Sequence, residues 1–373
     1  MSYLLNGILH TLYIRNHMKE EEEEVFSSGI TRSLDNNNIV KTDQHDNNNN
    51  NILDDMRNHN VDEYNEIFDV AIIGGGFAGL SAALLLGRYL RPTVIFNGGD
   101  TRNSVSKHVH GYLGFENVPP KQFIQKAWGD VLQYDSIKVI KEKVDKIERE
   151  EQFFLLMTED GSKSVKAKYI IIATGIRDVK PNVKNFEKFE GNGIWHCPHC
   201  DGFQSTNKKL AIITSKENNA LRYAKEFLGW TKEITLFIQE DRYQLADNER
   251  TEANTLGIDI VENDGVIEIA GNQRGFPEGV VCKSGRCYDT EVIFYHLGYT
   301  IQNNLAKQIG CELDEGYVKI NAMQQTTVPN VYAAGDIDTD RHYVVLAAAS
   351  GALAAISIYE QMLKDAIRTV KTT

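Results

Sequence analysis

Apolar positions in this chain change period several times, and the changes mark its elements. The run "FDVAII" (68–73) is short and continuously apolar, as expected of a strand buried on both faces. Glycines follow at once, and "FAGLSAALLLGRYL" then places apolar residues at helical period, so the spacing predicts strand, glycine turn and helix in direct succession. "PTVIF" predicts a further strand, "YIIIATG" a buried strand ending in a turn, and "VPNVYAAGDI" repeats that design near the C-terminus. Between these, "KLAIIT", a helix over "NALRYAKEFLGW" and the strand "EITLFI" predict a second βαβ unit. The fold class that accounts for this order is α/β, with two Rossmann-like dinucleotide-binding folds, the first interrupted by the second. The late stretch "VVLAAASGALAAISIY" is too short and too rich in small and hydroxylated residues for a membrane span, and reads as a buried helix.

Composition sets the limits of this picture. Residues 1–66 carry the runs Glu20 to Glu24 and Asn47 to Asn51 and too little apolar surface to offset ordering, which predicts a disordered extension. Its opening "MSYLLNGILHTLYI" has neither a basic front nor a small-residue cleavage site, which disfavours a secretory signal. The rest divides into a first domain part at 67–181, an insert at 182–300, a second part at 301–366 and a tail at 367–373. A chain of 373 residues, 42% hydrophobic and 25% charged, has the make-up of a globular protein of two domains. A formal net charge of −12 opposes phosphate contacts and excludes nucleic acid as an expected partner. Five cysteines, an odd number, fit a reducing cytoplasmic compartment better than a secreted disulfide framework.

Gly74, Gly76 and Gly79 form G-x-G-x-x-G between a predicted strand and a predicted helix, the placement that gives this pattern its meaning. The first glycine allows the tight turn, the second admits a pyrophosphate to bare backbone, and the third lets helix and strand approach. The helix N-terminus then stabilises the phosphate charge. An acidic ribose ligand is expected about 20 residues on. Asn97 stands there instead, and it can still hydrogen-bond a hydroxyl.

"IWHCPHCDGF" places Cys197 and Cys200 two residues apart, each preceded by a histidine, His196 and His199. The spacing suits half of a zinc site, a redox dithiol or an inert buried pair. Zinc needs two further ligands, and Cys282 with Cys287 are the only other close pair; their Ser284-Gly285 turn makes them surface hairpin cysteines, and Cys311 reads as a core residue. No metal site is therefore expected. In the redox reading, His196 and His199 supply positive charge that raises thiolate character, and Asp201 accepts and returns the proton of a leaving thiolate.

The glycine turn, "IIIATG" with Ala173, Thr174 and Gly175, and "VYAAGDI" with Gly335 and Asp336 resemble the FAD domain of flavoproteins with two dinucleotide folds. That resemblance implies FAD as cofactor and sets Asp336 against the ribityl chain. With "CPHCDGF" at the start of the insert, the chain resembles the low-molecular-weight thioredoxin reductase family across about residues 68 to 366. The likeness implies that Cys200 faces the flavin, that Cys197 attacks the substrate, and that the protein forms a homodimer. The implied activity is FAD-dependent thiol–disulfide exchange with a thioredoxin-like protein or a small dithiol or disulfide.

One part departs from the family. No glycine occurs between Gly202 and Gly229, so Lys216 and Glu217 stand where NADPH needs bare backbone. Glu240 and Asp241 replace the cations expected for a 2′-phosphate, with Arg242 alone beside them. A like charge at about 4 Å costs on the order of 4 kcal/mol at an effective dielectric near 20. NADPH is therefore not expected in the usual mode, and ferredoxin or another donor takes its place. This pattern resembles the branch that includes dithiol oxidases, which pass electrons from a dithiol to oxygen, and "NGGDTRNSVSKHVHGYLG" is similar to that branch. The rival readings are such an oxidase and a zinc-stabilised binding module.

Overall fold

The computed structural model describes residues 67–215, 219–239 and 244–372. The extension before residue 67, and Lys216, Glu217, Glu240, Asp241 and Arg242, lie outside the described residues.

The first half is built on β1 (Ile67–Ile73), β2 (Thr93–Phe96), β3 (Ile137–Ile140), β4 (Val144–Arg149), β5 (Phe154–Thr158) and β6 (Ser164–Ile172), ordered β3-β2-β1-β6-β5-β4. Strands β3, β2, β1 and β6 run parallel, whereas β4, β5 and β6 pair antiparallel. The long strand β6 first pairs with β5 through Ser164 to Ala167, then takes the returning strand Val331–Ala333 beside Ile170 to Ile172. Continuous apolar runs suit β1 and β6 because both their faces are covered: Ala71, Ile170 and Ile172 enter one core, and Val70, Ile72 and Ile171 the other.

Helix α1 (Phe77–Arg88) follows β1, and α2 (Pro120–Leu132) buries Phe123, Trp128 and Val131. The C-terminal helix Val344–Thr372 buries Ala354, Ala355 and Ile358 in the same core as α1. It is longer than the sequence suggested and only one face is covered: Val345, Leu346, Leu363, Ile367 and Val370 are exposed. Its segment Val344–Arg368 is long and apolar enough to cross a membrane by length and composition, which corrects the expectation of a short, buried helix. The apolar run reaches only Tyr359, but the helix continues through Lys364 and Arg368, where charge ends the apolar run without ending the hydrogen bonding.

The chain passes to the second half through β7 (Ile176–Asp178) and returns through the strand Tyr299–Ile301, and these two connections pair antiparallel as a ribbon. Between them, β8 (Ile194–Trp195), β9 (Leu210–Thr214), β10 (Ile234–Ile238), β11 (Ile258–Val261) and the strand Val292–His296 form a five-stranded parallel sheet. An antiparallel three-stranded sheet, Val266–Gly271, Pro277–Cys282 and Cys287–Asp289, packs against it.

Two further expectations are corrected here. The helix over Asn219 to Trp230 is regular only across Ala220–Lys225, after which Phe227, Leu228 and Trp230 donate to carbonyls three residues back, tightening the chain into turns. Cys287 is exposed on its hairpin, but Cys282 is fully buried, because the last inward position of its strand falls on it. Cys311 is a core residue, as read, with its thiol directed at the Thr326 hydroxyl at 3.5 Å.

Candidate active site

A cavity of about 840 Å3 opens at the C-terminal ends of β1 and β6, where the two halves meet. The three glycines of the turn beside it have different duties. A Cβ on Gly74, whose φ is +120°, would lie 2.2 Å from the Ala173 carbonyl oxygen, and one on Gly79 would lie 1.9 Å from that of Gly74. Both permit close packing. A Cβ on Gly76 would meet nothing within 4 Å, so its bare backbone faces the cavity at the start of α1. Gly74 and Gly76 border the cavity, and Gly79 lies behind it.

Asn97, at the end of β2, lines the same wall, packed so close to Gly75 that a Cβ there would lie 2.7 Å from the Asn97 amide. Ala173, Thr174 and Gly175 follow β6 along the cavity, and Thr174 donates its hydroxyl to the Gln302 carbonyl at 2.6 Å. Gly335 takes a positive φ of 85° after the last strand and donates its N–H to Ser350, which turns Asp336 into the cavity.

Cys197 and Cys200 reach this cavity from the second half, joined by a disulfide across a Cα separation of 5.3 Å. Pro198 opens the short helix Pro198–Asp201 at its first position, and the Cys197 sulfur caps that helix by accepting the Cys200 N–H at 3.1 Å. Asp201 is buried beside the pair, whereas the His199 side chain is 56% exposed at the margin, 3.5 Å from Glu226. Both sulfurs are spent on each other, and among the described residues no three His, Cys, Asp or Glu side chains gather to hold a metal. The zinc-module reading has no ligand set here.

Residues 68–354 match the pyridine nucleotide-disulphide oxidoreductase family. The chain belongs to that family. As a pyridine nucleotide-disulphide oxidoreductase it is an enzyme, and membership implies a flavin cofactor and usually NAD(P)H. It is 28% identical over 312 residues to the thioredoxin reductase sirT of Leptosphaeria maculans, covering 80% of this chain and 95% of that one. It is 29% identical over 306 residues to the thioredoxin reductase of Helicobacter pylori, covering 78% and 98%. The crystal structure of the putative thioredoxin reductase TrxB from Bacillus anthracis superposes with a TM-score of 0.73 at 27% identity, over 80% of this chain and 99% of that one. HlmI shares the fold, with a TM-score of 0.76 at 24% identity over 82% and 96%.

The interior of this oxidoreductase site holds charges that the sequence reading missed. Arg102, on the loop after β2, donates from Nε and Nη2 to the two carboxylate oxygens of Asp178 at 2.7 and 2.6 Å, and its Nη1 lies 3.6 Å from Asp336. Burial works to raise Asp178, but the bidentate Arg102 guanidinium outweighs it and holds the carboxyl below its ordinary range. Burial pushes Asp336 up to about 6, with Arg102 opposing. His196 is pushed down to about 4 by burial, against the pull of Asp178. It is therefore neutral at neutral pH, which corrects the expectation that it supplies positive charge to the cysteines. Arg102 and Asp178 stand 76 residues apart, so no spacing links them.

Proposed function

We propose that the protein is an FAD-dependent thiol–disulfide oxidoreductase in which Cys197 and Cys200 exchange electrons between the flavin and a thioredoxin-like protein or a small dithiol or disulfide. The observation that carries this reading is the Cys197–Cys200 disulfide opening on the same cavity as Gly76, Asn97, Thr174 and Asp336. The residues fit a flavin dinucleotide. Gly76 offers the backbone that a pyrophosphate needs, Asn97 a side-chain amide for a ribose, and Asp336 a carboxylate for the ribityl hydroxyls. The bound flavin supplies two-electron chemistry.

The chain's own residues do the rest. Arg102 and Asp178 fix the floor on which Asp336 stands, and the short helix holds the cysteines at the cavity. Cys197 takes the substrate sulfur and Cys200 faces the flavin, while buried Asp201 moves the proton. We take residues 67–181 and 301–366 as the flavin domain and 182–300 as the insert, and we place the protein in the cytoplasm as a homodimer. The unpaired thiols Cys282, Cys287 and Cys311 support a reducing compartment.

The electron donor is taken to be other than NADPH, because the sequence after β9 carries Lys216 and Glu217 in place of glycine and the sequence after β10 carries Glu240 and Asp241. The same residues support a second reading, a dithiol oxidase that runs the site toward oxygen. Anaerobic mixing of the FAD-loaded protein with NADPH, NADH, reduced ferredoxin or dithiothreitol, followed by flavin absorbance, tests both. Dithiothreitol is expected to bleach the flavin fast and NADPH slowly; Cys200→Ser is expected to abolish the dithiol reaction. Saturable bleaching by micromolar NADPH refutes the donor assignment. Oxygen uptake driven by small dithiols selects the oxidase.

A further inference from the structure

The parallel sheet of the insert reverses its strand order between β9 and the strand Val292–His296: β10 and β11 lie on one side of β9, and the chain returns to pair on the other. Beyond the carboxyl ends of two such strands is the crevice in which a dinucleotide fold takes its ligand. Here the chain's own side chains occupy it. Thr214, the last residue of β9, donates its hydroxyl at 2.9 Å to the carbonyl of His296, the last residue of the neighbouring strand. The His296 ring lies flat on the Tyr223 ring, with centroids 4.7 Å apart and an interplanar angle of 11°. Tyr223 comes from the helix Ala220–Lys225 that follows β9, and it is 6% exposed. Two rings thus stack where a nicotinamide would otherwise lie.

The far end of Tyr223 reaches the cysteines. Strand β8, at the sheet edge, pairs Ile194 with Ile293 and Trp195 with Phe294, and it stops there, with His196 between it and Cys197. The His196 carbonyl accepts the Tyr223 hydroxyl at 2.9 Å. Burial pushes that phenol well above its ordinary range, so it stays protonated and donates. On its other side Cys197 is tied into the turn, its carbonyl accepting the Asp201 N–H at 3.0 Å and its sulfur the Cys200 N–H at 3.1 Å.

We propose that Tyr223 is a positioning residue for Cys197: it closes the nucleotide crevice of the insert and turns it into a brace on the strand end that carries the attacking sulfur. The proposal rests on the redox reading of the cysteine pair given above. Brace and stacked nicotinamide exclude each other, so neither NADH nor NADPH finds a ring site on the insert. A held Cys197 has a higher effective concentration toward Cys200, which favours the disulfide over the dithiol.

The test equilibrates FAD-loaded wild type and Tyr223→Phe anaerobically with graded ratios of reduced to oxidised dithiothreitol. In that exchange the Cys197–Cys200 bond breaks and the reagent closes its own S–S bond, while two electrons and two protons pass from the reagent to the cysteines. Samples are quenched with acid and alkylated, the open pair is counted by mass spectrometry, and flavin content is read by absorbance. Phe keeps the ring on His296 and loses only the hydroxyl. Tyr223→Phe is expected to open at a ratio about fivefold lower, the worth of one net hydrogen bond, with flavin content unchanged. The two redox forms close a thermodynamic cycle, so urea unfolding should show the disulfide form weakened more than the dithiol form by the same factor. A tyrosine that only packs would weaken both forms equally. An unmoved ratio, a shift toward harder opening, or an equal loss in both forms overturns the brace. Saturable binding of NADH or NADPH to the FAD-loaded wild type in equilibrium dialysis overturns the closed crevice. A wild-type pair that no dithiothreitol ratio opens overturns the redox reading itself, and the brace with it.

Discussion

Replacing Asp201 with Asn is expected to stabilise the protein while slowing it. Burial holds the Asp201 carboxyl up at about 7 against an ordinary 3.8, with the His110 charge opposing. At about 1.36 kcal/mol per pH unit, that gap makes the ionised carboxylate cost the fold about 4 kcal/mol. Below the unfolded value the group is neutral in both states and costs nothing. As pH rises the unfolded chain ionises first, so the folded state loses relative stability from about 4 upward, and the loss is complete above about 7. Asn carries no charge at any of these values. Thermal melts of the two proteins with excess FAD should therefore coincide near pH 4 and diverge with pH. At about 2 °C per kcal/mol for a chain of this size the variant should lead by about 8 °C at pH 8. Dithiol-driven bleaching should meanwhile fall by about 100-fold or more, the usual worth of a placed acid–base group. A melting difference that does not change with pH, or a variant less stable than wild type at pH 8, would refute the claim that Asp201 is held neutral by burial.

Gly76→Val and Gly79→Ala should separate binding from folding. The first adds a side chain into open cavity and should abolish FAD retention with the apoprotein's melting temperature unchanged; the second sets a methyl 1.9 Å from the Gly74 carbonyl and should cost about 1–3 kcal/mol or more in urea unfolding. Arg102→Met should cost about 3–5 kcal/mol in the same unfolding assay, because Asp178 and Asp336 lose their shared cation while staying buried.

Element starts that depended on local period were legible in the sequence. Strand β1, the glycine turn and α1 follow one another without a break, and so do β6 and the turn at Thr174, because each needs only apolar run length and glycine position. A bond between Cys197 and Cys200 was legible as one of several readings for the same reason: a spacing of three on one turn brings the sulfurs within bonding reach. What escaped was assembled by tertiary structure. Arg102 and Asp178 meet only because the loop after β2 and the strand after β6 converge at one end of the sheet. His196 looked like a cation because its sequence neighbours do not reveal its burial, and burial is what removes the charge. The helix after Asn219 was overextended because aromatic residues such as Phe227 and Trp230 keep the apolar rhythm when the backbone has already tightened into turns.

The paired ribbon between the halves bears on how such a protein can be remodelled. Tyr299 stands opposite Asp178, Thr300 opposite Arg177 and Ile301 opposite Ile176, so the chain leaves and re-enters the flavin half through neighbouring strands. Everything from Val179 to Gly298 hangs from that doorway like a cassette. Its ends sit close enough that a two-residue hairpin turn would close the gap if the cassette were cut out. Sequence change in the cassette can leave the seven-stranded sheet and its glycine turn untouched. One backbone can thereby vary its insert while keeping the same glycine turn, and Asp178, built into the doorway itself, is hydrogen-bonded to Arg102 on the sheet's side of it.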